Sequence, residues 1–228
     1  MKLLRLAKQH DTCFISWKNM DKIICFGKNY QDHMLELGDA PVTKPVIFLK
    51  PPSVLTKCPR WRETIQVNLS DDETHYECEL VLQLNKGGYK ITPEEAANAI
   101  GAYTIGLDMT LRQVQGLLKK KGHPWTISKV FPSACIIGPW IEAAESDFLD
   151  TPFMFNLDGI EKQRSCGRKM LFQPKELISY ASQFFPLCEG DVIFTGTPAG
   201  VGPVHKNSVG VLSLNSTESD YQFMVQWL

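Results

Sequence analysis

His75-Tyr76-Glu77-Cys78-Glu79-Leu80-Val81-Leu82-Gln83-Leu84, closed by Gly87-Gly88, sits near the middle of the chain and reads as a strand. Its apolar residues alternate and then run together, the pattern of a strand buried on both faces. Side chains two apart on a strand share a face, so Glu77 and Glu79 project together. Two carboxylates roughly 4 Å apart repel each other by about 4 kcal/mol at an effective dielectric near 20. Solvent, a shared proton or a cation must offset that repulsion. A hard divalent ion such as Mg²⁺ or Mn²⁺ suits carboxylate oxygens. The plainer alternative is a strand whose carboxylates face water.

Around this stretch the composition is that of an ordinary soluble protein, with 43% hydrophobic and 21% charged residues. No linker divides the chain, so residues 1–228 are expected to form one catalytic domain, with 1–20 as an N-terminal lead-in that forms a hairpin over 1–17. A net charge of −1 and the absence of a long basic run speak against a nucleic-acid partner. Lys119-Lys120-Lys121 reads as a solvated helix end. The seven cysteines, at 13, 25, 58, 78, 135, 166 and 188, form no Cys-x-x-Cys pair. They are expected to be free thiols in a reducing compartment. No apolar run approaches the roughly 18 residues of a membrane span, and no signal-peptide pattern opens the chain. The expected location is cytoplasmic, or the mitochondrial matrix in a eukaryote.

Other segments bring further polar groups toward the same region. Lys22–Phe26 is a short apolar strand. From Tyr30 a short helix runs to Gly38, and on it His33 and Glu36 are three apart and share a face. A carboxylate beside an imidazole orients it and raises its basicity, although an ordinary surface pair has the same spacing. Pro45–Leu55 is a strand broken by Pro51-Pro52, and Lys50 at its end either reaches a cleft or is exposed. Thr92-Pro93-Glu94-Glu95 has the order of a helix start: cap, proline, acids. Gly101–Leu107 is a strand that delivers Asp108. Arg112 and Gln115 then share a helical face just after it, and Lys129 lies nearby. Asp158-Gly159 marks a hairpin between Phe153–Leu157 and Glu161–Ser165. Pro174–Phe185 is an amphipathic helix with Leu177, Ile178, Ala181, Phe184 and Phe185 on its apolar side. Gly190–Gly202 runs from a strand into a glycine-rich loop that presents the Thr197 hydroxyl or simply turns.

Taken in order, the blocks Lys22–Glu36, Pro45–Ser53, Tyr76–Leu80, Gly101–Gln115, Trp125–Trp140, Leu157–Ser182 and Gly190–Gly202 resemble the fumarylacetoacetate hydrolase family. The resemblance implies an α+β, β-rich fold: a mixed-sheet β-roll or sandwich with a few short helices, usually a homodimer. It implies that Glu77, Glu79 and Asp108 hold Mg²⁺ or Mn²⁺. His33 and Glu36, on a lid segment, and Lys129 are the catalytic groups it implies, and Arg112, Gln115 and Thr197 the residues that hold a 2-oxo acid. No extra N-terminal domain of the largest members is present, so the chain resembles the compact forms that act on acylpyruvates or oxaloacetate.

The first expectation for activity is metal-dependent hydrolysis of an acylpyruvate, of the acetylpyruvate or fumarylpyruvate type. Water activated by His33 would attack the distal carbonyl and expel pyruvate as its enolate, with Lys129 steadying the negative oxygen. Oxaloacetate decarboxylation or tautomerisation through the same enolate is the alternative. A β-rich binding protein without catalysis is a third, opposed by the completeness of the polar set.

Overall fold

In the computed structural model the described residues are 20–38, 40, 42–143, 148–214 and 221–228. The hairpin expected over 1–17 and Cys13 lie outside them. Apolar strands and short capped helices alternate along the chain: β1 (Ile23–Gly27), α1 (Gln31–Glu36), β2 (Val46–Lys50), β3 (Leu55–Lys57), β4 (Thr64–Val67), β5 (Thr74–Tyr76), β6 (Cys78–Leu84), α2 (Pro93–Asn98), β7 (Ile100–Asp108) and β8 (Thr110–Leu111). They are followed by α3 (Arg112–Lys121), α4 (Thr126–Lys129), β9 (Cys135–Ile137), β10 (Ile141–Glu142), β11 (Phe153–Leu157), β12 (Ile160–Ser165), α5 (Pro174–Ser182), β13 (Val192–Phe194), β14 (Gly202–Pro203), β15 (Val209–Leu214) and β16 (Gln222–Trp227).

Among the described residues the strands form mixed sheets, as the β-rich expectation required. The largest has eight strands in the order β2-β1-β13-β6-β7-β9-β3, with β10 pairing β7 off that path; a second runs β12-β11-β15-β16-β4. Pairing is parallel for β1 with β13, β3 with β9 and β4 with β16. The large sheet curls on itself. In its order β13, β6 and β7 separate β1 from β9, yet Ile23 and Cys25 of β1 pack in one small cluster with Cys135 and Ile137 of β9. Val81 of β6 joins that inner cluster, while Leu80 and Leu82 face the other way. They pack with Phe155, Leu212, Phe223 and Trp227 of the second sheet, which forms the outer core.

β6 is buried at every residue, so it is covered on both faces as its apolar run implies. The hairpin turns on Asp158 and Gly159 with φ of 51° and 80°, the primed-turn signature that the Asp-Gly pair predicts. Thr92 and Glu95 form a complete capping box at the head of α2. The expectation for α5 needs correction at its end. The helix stops at Ser182, so Phe184 falls out of its periodic face, is exposed, and instead meets Tyr180 edge-on at 5.1 Å. Six of the cysteines are described, and all are free thiols. Among the described residues no helix is long and apolar enough to cross a membrane.

On the buried face of the second sheet two aromatic rings close over Gly210. A Cβ there would come within 2.7 Å of the Phe155 ring and 2.8 Å of the Trp227 ring, both buried. Gly210→Ala is therefore expected to lower the urea unfolding free energy by about 1–3 kcal/mol, read as a shift in midpoint at constant slope.

Candidate active site

Strand alternation determines which carboxylates meet. On β6 the residues that look into the roll are Glu79 and Val81. On β7 they are the positions out of phase with Ile105 and Leu107, namely Gly106 and Asp108. Glu79 lies opposite Gly106 in the antiparallel register. Glu77 occupies the single-residue gap between β5 and β6, and its carbonyl accepts the Asp108 N–H at 2.9 Å. Carboxylate oxygens of Glu77, Glu79 and Asp108 lie within 4.8 Å of one another, and all three residues are buried. The alternative in which Glu77 and Glu79 face water does not apply.

Three cations answer these acids. Lys129 donates to Glu77 Oε2 and to Asp108 Oδ2, each at 2.8 Å, and to Thr110 Oγ1 at 2.7 Å, which uses all three of its N–H donors. Arg112 bonds Glu77 Oε1 through Nη2 and Gln115 through Nη1 at 2.7 Å. Lys50 pairs with Asp108 Oδ1 and donates to the carbonyls of Met109 (3.0 Å) and Ala134 (2.6 Å). Burial disfavours charge on Lys50 and Lys129, but Asp108, with Glu77 at Lys129, outweighs it and raises both pKa values. Burial likewise pushes Glu77 up, but Lys129, Arg112 and His33 prevail and hold it well below the usual carboxylate range.

Glu79 is different. Among the described residues the only donor bonded to it is a backbone one, the Gly196 N–H at 2.6 Å. Burial and the charges of Asp108 and Glu77 push its pKa well above the ordinary value. A buried carboxylate crowded by two others, each already paired, fits a site that takes one more cation. An all-oxygen donor set of this kind suits Mg²⁺ or Mn²⁺. A second acid-rich group, Asp21, Cys188 and Asp191, is already occupied by Lys22, which bonds Asp21 at 2.7 Å and Asp191 at 2.9 Å.

His33 and Glu36 form a pair across one turn of α1, Nδ1 to Oε2 at 3.0 Å, with His33 buried. The other Glu36 oxygen accepts the Gly200 N–H at 2.9 Å, which ties α1 to the glycine-rich loop. The base of α1 is held by Asn29. This buried side chain donates to Thr195 O (2.8 Å) and Phe172 O (3.0 Å) and accepts the Phe172 N–H (2.8 Å). Gly196 allows that packing: its φ is 101°, and a Cβ would meet the Asn29 Cβ at 2.7 Å.

His33, Glu77, Glu79, Arg112, Gln115 and Lys129 line one cleft with Thr197; its empty volume is about 390 Å³, open to solvent at its mouth. Glu36 stands behind His33, and Asp108 lies beneath the floor. The nine sequence candidates thus assemble in one place, with two amendments. The Thr197 hydroxyl donates to Cys78 O and accepts from Gln163 Nε2, each at 2.8 Å, so it braces the loop. Lys129 likewise offers the site its charge, since its donors are engaged. Lys50 is wholly buried, which excludes the exposed alternative. Gln163 went unremarked in the sequence. Its one signal is a polar residue at a buried position of a strand whose neighbours Lys162 and Arg164 are exposed. It crosses from the second sheet to bond the Cys78 N–H and Pro198 O, both at 2.9 Å.

The family model described as fumarylacetoacetate (FAA) hydrolase C-terminal matches residues 22–221. An oxaloacetate tautomerase of Escherichia coli (strain K12) is 36% identical over 187 residues, 81% of this chain and 84% of that one. A mitochondrial oxaloacetate decarboxylase of Dictyostelium discoideum is 35% identical over 208 residues, 91% of this chain and 94% of that one. The crystal structure of a fumarylpyruvate hydrolase from Pseudomonas aeruginosa, in complex with Mn²⁺ and pyruvate, superposes with a TM-score of 0.82 at 31% identity, covering 92% of this chain and 90% of that one.

Two outcomes follow from this geometry. Calorimetric titration of chelator-treated protein with Mn²⁺ is expected to show one divalent site that Glu79→Ala loses; equal binding by the variant would remove Glu79 from the ligand set. Lys50→Met breaks a buried ion pair and is expected to cost about 3 kcal/mol in urea unfolding, whereas a loss below about 0.5 kcal/mol, the range of neutral surface changes, would show that Lys129 alone neutralises Asp108.

Proposed function

The chain belongs to the fumarylacetoacetate hydrolase family, and from that premise we propose that it interconverts the enol and keto forms of oxaloacetate. The observation that carries this reading is the bonding of Glu36. Both of its oxygens are engaged, one by His33 and one by the Gly200 N–H. A carboxylate so placed orients an imidazole for proton transfer and is poorly placed to hold an attacking water as well. The relatives named for oxaloacetate chemistry support the same choice.

With Nδ1 directed at Glu36, His33 keeps Nε2 as its proton-exchanging nitrogen. In the forward direction the 2-hydroxyl of the enol gives up one proton and carbon 3 gains one, so no atom is lost and no co-reactant is needed. His33 Nε2 accepts and returns the proton, and Glu36 stabilises the imidazolium between the two events. Arg112 and Gln115 hold the 1-carboxylate. The positive charge of Lys129 steadies the oxygen on which negative charge collects. A divalent ion, Mg²⁺ or Mn²⁺, held by Glu77, Glu79 and Asp108 would supply Lewis acidity toward the 2-oxo acid. The small substrate is the partner this reading requires; a homodimer and a reducing compartment, cytoplasm or mitochondrial matrix, accompany it as expectations.

Acylpyruvate hydrolysis is the second reading, supported by the likeness to a fumarylpyruvate hydrolase; His33 would then activate water instead. Oxaloacetate decarboxylation needs neither role of the pair. Stopped-flow loss of the enol absorbance of oxaloacetate is expected to be accelerated by the Mn²⁺-loaded protein, and His33→Ala should lower the rate by about 10²–10⁴-fold. Faster release of pyruvate from fumarylpyruvate than enol conversion would put the hydrolase first. Loss of CO₂ that survives His33→Ala would put the decarboxylase first.

A further inference from the structure

We propose that Gln163, a residue of the second sheet, is a positioning residue for the proton transfer: it fixes the His33–Glu36 pair relative to the carboxylates of Glu77 and Glu79. The inference rests on the proton-transfer reading given above and extends it to a side chain that does not line the cleft.

The Gln163 amide bonds two segments at once. Its Oε1 accepts the N–H of Cys78, the residue between the two glutamates, at 2.9 Å. Its Nε2 donates to Thr197 Oγ1 at 2.8 Å and to Pro198 O at 2.9 Å, both in the glycine-rich loop. The two N–H donors of the amide are thereby used. The amide cannot turn over, because N–H would then face N–H and oxygen would face oxygen. Gln163, Cys78 and Pro198 are all buried, so water is poorly placed to replace these bonds. The two segments differ in what else holds them. β6 is paired with β7 on one side and β13 on the other, whereas residues 195–201 lie outside the ladders. Loss of Gln163 therefore moves the loop rather than the strand that carries Glu79.

The loop in turn holds the catalytic pair. In β12 Gln163 pairs with Phe155 but Glu161 pairs with Asn156, so Lys162 is an extra residue, a β-bulge. The bulge sets the Lys162 carbonyl against Gly200, where φ is 99° and a Cβ would come within 2.0 Å of that oxygen. The Gly200 N–H donates to Glu36 Oε1 at 2.9 Å, and Glu36 Oε2 lies 3.0 Å from His33 Nδ1. Lys162 and Gln163 thus seat the loop at Thr197, Pro198 and Gly200, and the loop seats Glu36. Asn29 still holds the base of α1, so loss of Gln163 frees only the Glu36 end.

The test is a double-mutant cycle on the Mn²⁺-loaded protein. Gln163→Met keeps the approximate length of the side chain and removes all three bonds. It is expected to lower kcat for enol oxaloacetate about tenfold, a partial misplacement of the pair, with KM held within about twofold because the substrate contacts remain. In a Glu36→Ala background the same substitution is expected to cost less than about twofold, since its route to His33 is gone. A merely structural role would lower kcat by the same factor in both backgrounds. Calorimetric binding of Mn²⁺ distinguishes a folded variant from a damaged one; if Gln163→Met loses it, Gln163→Glu, which keeps the shape and the acceptor for Cys78, takes its place in the cycle. An unchanged kcat, or an equal loss in both backgrounds, in protein that still binds Mn²⁺ would overturn the inference and leave the proposed function standing. Wild-type protein that does not accelerate enol loss would overturn the proposed function, and the cycle is then read on pyruvate release from fumarylpyruvate, which would use the same pair; equal losses there overturn the inference as well. Wild-type protein that converts neither acid overturns both.

Discussion

The contact between Lys129 and the carboxylates of Glu77 and Asp108 is the one on which the surrounding structure depends. Two acids and an ammonium are buried together at the mouth of a curled sheet, where each ion alone would carry a desolvation penalty of several kcal/mol. Lys129 meets that condition because α4 ends on it and Thr110 takes its third donor. Lys50 and Arg112 complete the neutralisation from β2 and α3. Five elements, β2, β7, β8, α3 and α4, thus converge on one charge cluster beside the β6–β7 pairing. Glu79 stands at the edge of the cluster with no paired cation among the described residues, and that is why the arrangement suits a metal better than a merely structural ion network.

The same sheet geometry positions the proton-transfer pair. β1 ends at Gly27, next to the glycine-rich loop after β13, because β1 and β13 are parallel neighbours. Asn29 then stitches the start of α1 to Thr195 and Phe172, and Glu36 returns to Gly200. α1 has only six residues and little intrinsic stability. Its position over the cleft comes from these polar ties together with the buried Tyr30 and Met34, while Leu35 is exposed.

Much of the site was legible in the chain. Period-two alternation placed Glu77 with Glu79, helical spacing placed His33 with Glu36 and Arg112 with Gln115, and the Asp-Gly turn and the Thr92 cap behaved as their local chemistry dictates. These features depend on interactions within a few residues. The run to Phe185 misled because periodicity continues past the last residue that the helix can bury. Lys50 and Gln163 were illegible for the opposite reason: their roles depend on partners 58 and 85 residues away, Asp108 and Cys78.

By itself, then, the sequence determined the local elements, the paired carboxylates and the family to which they belong, since propensity, capping and periodicity act over short range. The tertiary structure decided which charges neutralise which. It turned Lys50 from a strand-end lysine into a buried counter-ion, engaged every donor of Lys129 and committed Thr197 to a brace. Those outcomes follow from the curl of the large sheet, which brings β1 against β9 across three intervening strands, with β2 beside β1. Burial then makes each unpaired charge costly enough to select a single arrangement.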